Sequence, residues 1–180
     1  MFKPVWLLML GCLLFSISGA TQAASKVEID IYVQESLAEL YKQSPAARDL
    51  ASRARGILVF PKVYKAGFWV GGEYGEGALR IGGSNVRYYS IASASLGFQL
   101  GAQIKSQIIL FMTNDALNKF RNSSGWEAGV DGSVAIATFG AGGEIDTNTA
   151  QQPIIGFIFS NKGLMYNLTI EGAKITPIVR

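Results

Sequence analysis

The chain has 180 residues, 49% hydrophobic and 16% charged, enough for one domain with a real core and too apolar for a disordered tail. Lys and Arg number 16 against 13 Asp and Glu, a formal net charge of +3 that is too small for non-specific wrapping of nucleic acid, so no nucleic-acid partner is expected. Histidine is absent and cysteine occurs once, which removes imidazole-based triads, zinc sites that need imidazole, and any intrachain disulfide.

Lys3 precedes an apolar run from Val5 to Ile17 and then small residues ending in Thr21-Gln22-Ala23, the pattern of a secretory signal peptide cleaved after Ala23. That run is shorter than the roughly 20 residues a membrane-crossing helix requires. Lipoprotein processing at Cys12 is the alternative: Gly11 before it fits, whereas Leu8 and Met9 fit poorly. The expected organisation is therefore a signal peptide over residues 1–23 and one domain over 24–180. The expected location is the periplasm, peripheral on a membrane surface, and a mature chain without a thiol suits that oxidising compartment.

Val33, Leu37, Leu40 and Tyr41 recur at helical spacing and predict an amphipathic helix over 26–41. Its polar face carries Glu28, Asp30, Glu35 and Glu39, which an anionic surface would repel, so this helix is expected to pack on the sheet. Ser44 as cap and Pro45 at the first helical position start a second helix, expected over 45–55 and stopped by Gly56.

Gly56 to Phe60 reads as a short buried strand ended by Pro61, and Lys65 to Arg80 as glycine-punctuated strand. From Ala92 to Ile104 the even positions are apolar and the odd ones, Ser93, Ser95, Gln99, Gln103 and Lys105, are polar, so the even face is expected to meet a core. Ile108 to Met112 leads into Thr113-Asn114-Asp115, which can cap a short helix carrying Leu117 and Phe120. Trp126, Val130, Val134 and Ile136 predict a further alternating strand. Ile154 to Phe159, the turn Ser160 to Gly163, and Leu164 to Ile170 predict a hairpin. Helices first and strands after predict α+β, with a mainly antiparallel, strongly coiled or barrel-like sheet packed with the N-terminal helices and one short mid-chain helix.

Several segments carry a resemblance. Arg55-Gly56-Ile57-Leu58-Val59-Phe60-Pro61, Gly71-Gly72-Glu73-Tyr74-Gly75-Glu76-Gly77, Gly97-Phe98-Gln99-Leu100-Gly101 and Ser160-Asn161-Lys162-Gly163-Leu164 stand in the order in which the SYLF (Ysc84-like) family has them, so the chain resembles that family from about Leu40 to Thr176. The resemblance implies lipid binding without catalytic residues. Eukaryotic relatives bind phosphoinositides through this domain and an amphipathic helix, and some touch actin. Exported bacterial relatives are described as lipid-binding proteins. The signal peptide, and the lack of an SH3 or FYVE module, leave anionic bacterial phospholipid or lipid A as the expected ligand, with no cofactor.

Arg48, Arg53, Arg55, Lys62 and Lys65 place five cations in 18 residues with only Asp49 against them, and they are the candidate lipid-binding residues. Near an anionic bilayer each would add about 1 kcal/mol. Small residues at Ala92, Ala94, Gly97 and Gly101 beside Phe68, Trp69, Tyr89 and Phe98 either leave room for an acyl chain or merely permit close packing, which is the favoured reading.

Glu73, Glu76, Glu127, Asp131, Glu144 and Asp146 are the candidates for acid-base or calcium chemistry. Glu73 and Glu76 should fall on opposite strand faces, whereas Glu127 and Asp131, four strand residues apart, would sit about 13 Å from each other, too far to share a proton. Neither Asp131-Gly132-Ser133 nor Asp146-Thr147-Asn148 has the spacing of an EF-hand loop. A non-catalytic lipid-binding envelope protein is the expectation. The alternatives are a protein-interaction module, meeting an envelope protein partner, or a small outer-membrane barrel.

Overall fold

The computed structural model describes residues 24–68, 70–96, 101–137, 145–160, 163–164 and 170–180. The expected signal peptide with Cys12, and Trp69, Phe98, Gln99 and Glu144, lie outside the described residues.

Two helices open the domain, α1 (Lys26–Gln43) and α2 (Pro45–Arg53). Ser44 joins them: its amide donates to the Leu40 carbonyl and closes α1, while its hydroxyl accepts from the Ala47 amide and opens α2. α2 stops two residues earlier than expected, at Arg53, because Ala54 is already extended (ψ 141°) and the Arg55 amide bonds Phe111 in the sheet.

Four long strands follow, β1 (Gly56–Phe68), β2 (Val70–Ile81), β3 (Ser84–Leu96) and β4 (Gly101–Phe111). After α3 (Asn114–Asn122), capped by Thr113, come β5 (Trp126–Glu127), β6 (Ala135–Ile136), α4 (Thr147–Ala150), β7 (Ile154–Ser160), β8 (Gly163–Leu164) and β9 (Lys174–Ile178). The sheet order is β5-β9-β3-β2-β1-β4-β7-β6, with β8 on β7, and every pair is antiparallel except β6 with β7. The result is the expected α+β class: an open, strongly curled sheet forming a half-barrel. A membrane-spanning barrel closes on itself and turns its outer face to lipid; here that face carries α1 and α2.

The curl has two cores. Inside it, Leu58, Phe60, Val63, Leu79, Tyr89, Ile91, Ile109 and Phe111 meet Leu117 and Phe120 of α3 and Trp126, Ile158 and Ile175 from both flanks. The Phe120 ring lies 4.8 Å from Phe111, 4.9 Å from Tyr89 and 5.8 Å from Trp126. Outside it, Val59, Ala78, Tyr88, Ile108, Leu110, Ile155 and Phe157 carry Ile29, Val33, Leu37 and Leu40 of α1 and Ala47, Leu50 and Ala51 of α2. Packing on the sheet, expected for the first helix, is what α1 does.

Pro61 does not end the first strand. β1 passes through it by a bulge at Phe60-Pro61, where a missing amide costs no ladder bond, and Ser106 donates to the Pro61 carbonyl at 2.7 Å. Gly77 lies against this bulge: a Cβ there would stand 1.9 Å from the Val59 carbonyl oxygen. The bulge also shifts parity, so that Leu58 and Phe60 point inward before it and Val63 after it.

Three further expectations are corrected. The single strand from Lys65 to Arg80 is two strands, paired about Phe68 and Val70. The even face of 92–104 is not the core face: Ala92 and Ala94 are exposed and Ile104 is 56% exposed, whereas Lys105 and Gln107 are buried inside the curl. Ala92 and Ala94 therefore lie on the face opposite Tyr89 and line no common cavity with it. The strand expected through Val130 is broken by a turn, with Val130 75% exposed, and Asp131 accepts from the Glu127 amide at 2.6 Å instead of lying along a strand.

Candidate functional site

The five candidate cations do not form one patch. Lys62 points to the outer face, its ammonium 3.2 Å from the centre of the Tyr32 ring on α1. Lys65, three residues on, points inside the curl and lies 3.4 Å from Glu73. Arg53 pairs with Asp49 one helical turn back at 2.7 Å, both side chains largely exposed. Sequence proximity along 48–65 is undone by a helix end, a bulge and strand alternation.

Arg55 lines a cleft of about 640 Å³ between α1, α2, the start of β1 and the β2–β3 turn, and Arg48 stands behind its wall, against Tyr41. Arg48 lays its guanidinium 5.5 Å from the centre of the Tyr41 ring, which lines the cleft with Arg55, Ser52 and Gln34. Arg80 completes it, brought in because β2 pairs it with Ile57, next to Gly56 and Arg55. Its guanidinium donates to Asn85 Oδ1 at 3.2 Å and to the Gly83 carbonyl, which fixes it on the two-residue turn. Gly82 and Gly83 take φ of 59° and 85° there, values that glycine adopts without strain.

Among the described residues this cleft is lined by no carboxylate. Burial raises the Tyr41 hydroxyl above its ordinary pKa, and Arg80 first and Arg48 second pull it back, which places both guanidiniums within electrostatic reach of one phenol. Three arginines around an uncharged phenol, with serine and amide groups at hand, can hold an oxyanion such as a phosphate by charge-assisted hydrogen bonds. Arg80 was missed in the sequence because it stands 25 positions from Arg55; Gly82-Gly83, which folds β2 back at this point, was the available signal.

Glu73, Glu76, Asp131 and Asp146 are engaged in structural roles. Glu73 binds Lys105 inside the curl, at 2.8 Å and 3.0 Å from its two oxygens, and Glu76 faces outward to Arg180 and the Tyr74 hydroxyl. The two thus fall on opposite faces as expected. Asp146 caps α4, and its hydrogen bonds from Thr149 lower its pKa. Among the described residues no group of three or more metal-ligating side chains converges.

An arginine-lined cleft with no lining carboxylate among the described residues is suited to binding an anion. Residues 92–178 match the family model Ysc84, described as Las17-binding protein actin regulator, and over that part of the chain the resemblance read from its residues is borne out. That family is one of binding domains, associated with lipid and protein binding. The match covers the second half of β3 through β9, so α1, α2, β1, β2 and the three arginines precede it. No curated protein matches the chain.

Proposed function

We propose that this protein is a non-catalytic lipid-binding component of the bacterial cell envelope, exported by cleavage after Ala23, that takes anionic phospholipid headgroups into the Arg48–Arg55–Arg80 cleft. The observation that carries this reading is a cleft of about 640 Å³ lined by Arg55 and Arg80, with Arg48 against its Tyr41 wall and no lining carboxylate among the described residues. Guanidinium forks match phosphate oxygens in pairs, and the cleft is large enough for a headgroup.

The test is sedimentation of the purified protein with phosphatidylglycerol vesicles. Replacing Arg48, Arg55 and Arg80 together by Gln is expected to remove binding at low salt while the circular dichroism spectrum is kept. Unchanged sedimentation of this variant overturns the site. A protein partner is the second reading, favoured by the family description. It predicts no binding to any vesicle and a stable oligomer or complex in solution.

A further inference from the structure

We propose that Asn85 and Asp30 are the positioning residues of the arginine cleft: Asn85 aims the Arg80 guanidinium without neutralising it, and Asp30, from α1, holds Asn85 in place. The proposal rests on the anion-binding reading above and concerns how that cleft is kept ready.

β2 and β3 turn about Gly82-Gly83, and their register sets Arg80 opposite Asn85. The Asn85 amide is used at both ends. Its Oδ1 accepts from Arg80 at 3.2 Å, and its Nδ2 donates to Asp30 Oδ1 at 2.5 Å. The reverse orientation would set the amide NH2 against the guanidinium and the amide oxygen against the carboxylate, so only one orientation satisfies both neighbours. Tyr88 donates to the same Asp30 oxygen at 2.7 Å, which fixes the carboxylate in turn. Tyr88 belongs to the outer core, so the whole chain of bonds is anchored in packed side chains.

Charge explains why the link is an amide. A carboxylate at position 85 would pair with Arg80 directly and cancel its charge, whereas a neutral amide passes the hold of Asp30 across one side chain. Asp30 itself does not line the cleft. Two guanidinium N–H groups go to Asn85 and the Gly83 carbonyl, which sets the plane of the fork and leaves its remaining donors to an anion.

The same helix builds the cleft wall. α1 supplies Gln34, Leu37, Ala38 and Tyr41, and Gln34 follows Asp30 by one helical turn. The seating of α1 and the aim of Arg80 are thereby tied to one carboxylate.

The experiment sediments purified variants with phosphatidylglycerol vesicles at low salt and, without any lipid, follows the Tyr41 phenol by NMR titration, since Arg80 pulls its pKa down. Asn85→Ala is expected to weaken binding about fivefold, as far as Arg80→Gln does, and to raise the Tyr41 pKa. Arg80→Gln/Asn85→Ala is expected to bind no more weakly than Arg80→Gln, because both changes remove one contribution; full additivity would give Asn85 a merely structural role and overturn the proposal. Asp30→Ala and Asp30→Asn both delete a negative charge, but only Asn keeps an acceptor for Asn85 and Tyr88. Asp30→Ala is expected to weaken binding, and Asp30→Asn to bind close to wild type. Tighter binding by both is what charge alone would give, and it overturns the proposal. If Arg80→Gln itself leaves binding unchanged, the cleft reading falls and this proposal with it. If Arg80→Gln weakens binding while Asn85→Ala neither weakens it nor moves Tyr41, the proposal alone falls.

Discussion

Lys105 and Glu73 form a bidentate ion pair inside the curl, 2.8 Å and 3.0 Å from ammonium to the two carboxylate oxygens, with the lysine side chain 1% exposed. Lys65 adds a second ammonium 3.4 Å from the same carboxylate. Two cations lean on one anion at the polar end of an otherwise apolar interior. Glu73→Gln is expected to cost about 3 to 5 kcal/mol in chemical denaturation, because it strands a buried ammonium. Glu73→Leu with Lys105→Met should restore most of that loss; equal stability of Glu73→Gln and wild type would show the pair to be idle.

Gly77 faces the β1 bulge with no room for a side chain. Gly77→Ala is expected to lose about 3 kcal/mol, since the Val59 carbonyl it would meet is rigid backbone and the bulge must open to admit a methyl group. Thermal unfolding reads this directly, and an unshifted midpoint would mean that the bulge yields freely.

Tyr88 donates to Asp30 of α1 at 2.7 Å, and Asn85 donates to the same oxygen at 2.5 Å. Burial first, then the hydrogen bond and charge of Asp30, push the Tyr88 pKa up to about 12 from its ordinary 10.0. A raised pKa means that the folded state prefers the protonated phenol, so its contribution is whole below pH 10 and is lost as pH climbs toward 12. Stability should fall across that window, and Tyr88→Phe should flatten the fall. An identical alkaline profile for the variant would refute the assignment.

Arg53 and Arg80 separate the two ways of reading the basic segment. Arg53→Gln should leave vesicle binding within error, because its charge is already met by Asp49. Arg80→Gln should weaken anionic-vesicle binding about fivefold, the loss of about 1 kcal/mol. The reverse order of effects would return the function to the exposed face of α2.

The helices were readable because their signals are local. Ser44-Pro45 and Thr113 mark starts with side chains that cap the very next turn, and Val33, Leu37 and Leu40 mark one stripe. The sidedness of the sheet was not. Alternation from Ala92 to Lys105 reveals two faces but not which one is covered, and here the inside of the curl takes the polar set because Glu73, from another strand, neutralises Lys105. The bulge at Pro61 flips parity, so the face that Lys62 takes cannot be counted on from Leu58 and Phe60, while Lys65, three residues further, falls opposite Lys62 by plain alternation. The cleft was half legible: Arg48 and Arg55 were singled out, whereas Arg80 enters through strand pairing, which joins positions far apart in the chain.

The four central strands run 11 to 13 residues, yet the sheet is bounded in its described part by β5 and β6, two residues each. An unpaired strand edge is a template for fibril growth, and a template of two residues offers a recruited chain almost nothing to zip onto. The long ladders are sequestered mid-sheet, so the described fold offers a neighbouring chain little edge on which cross-β assembly could start.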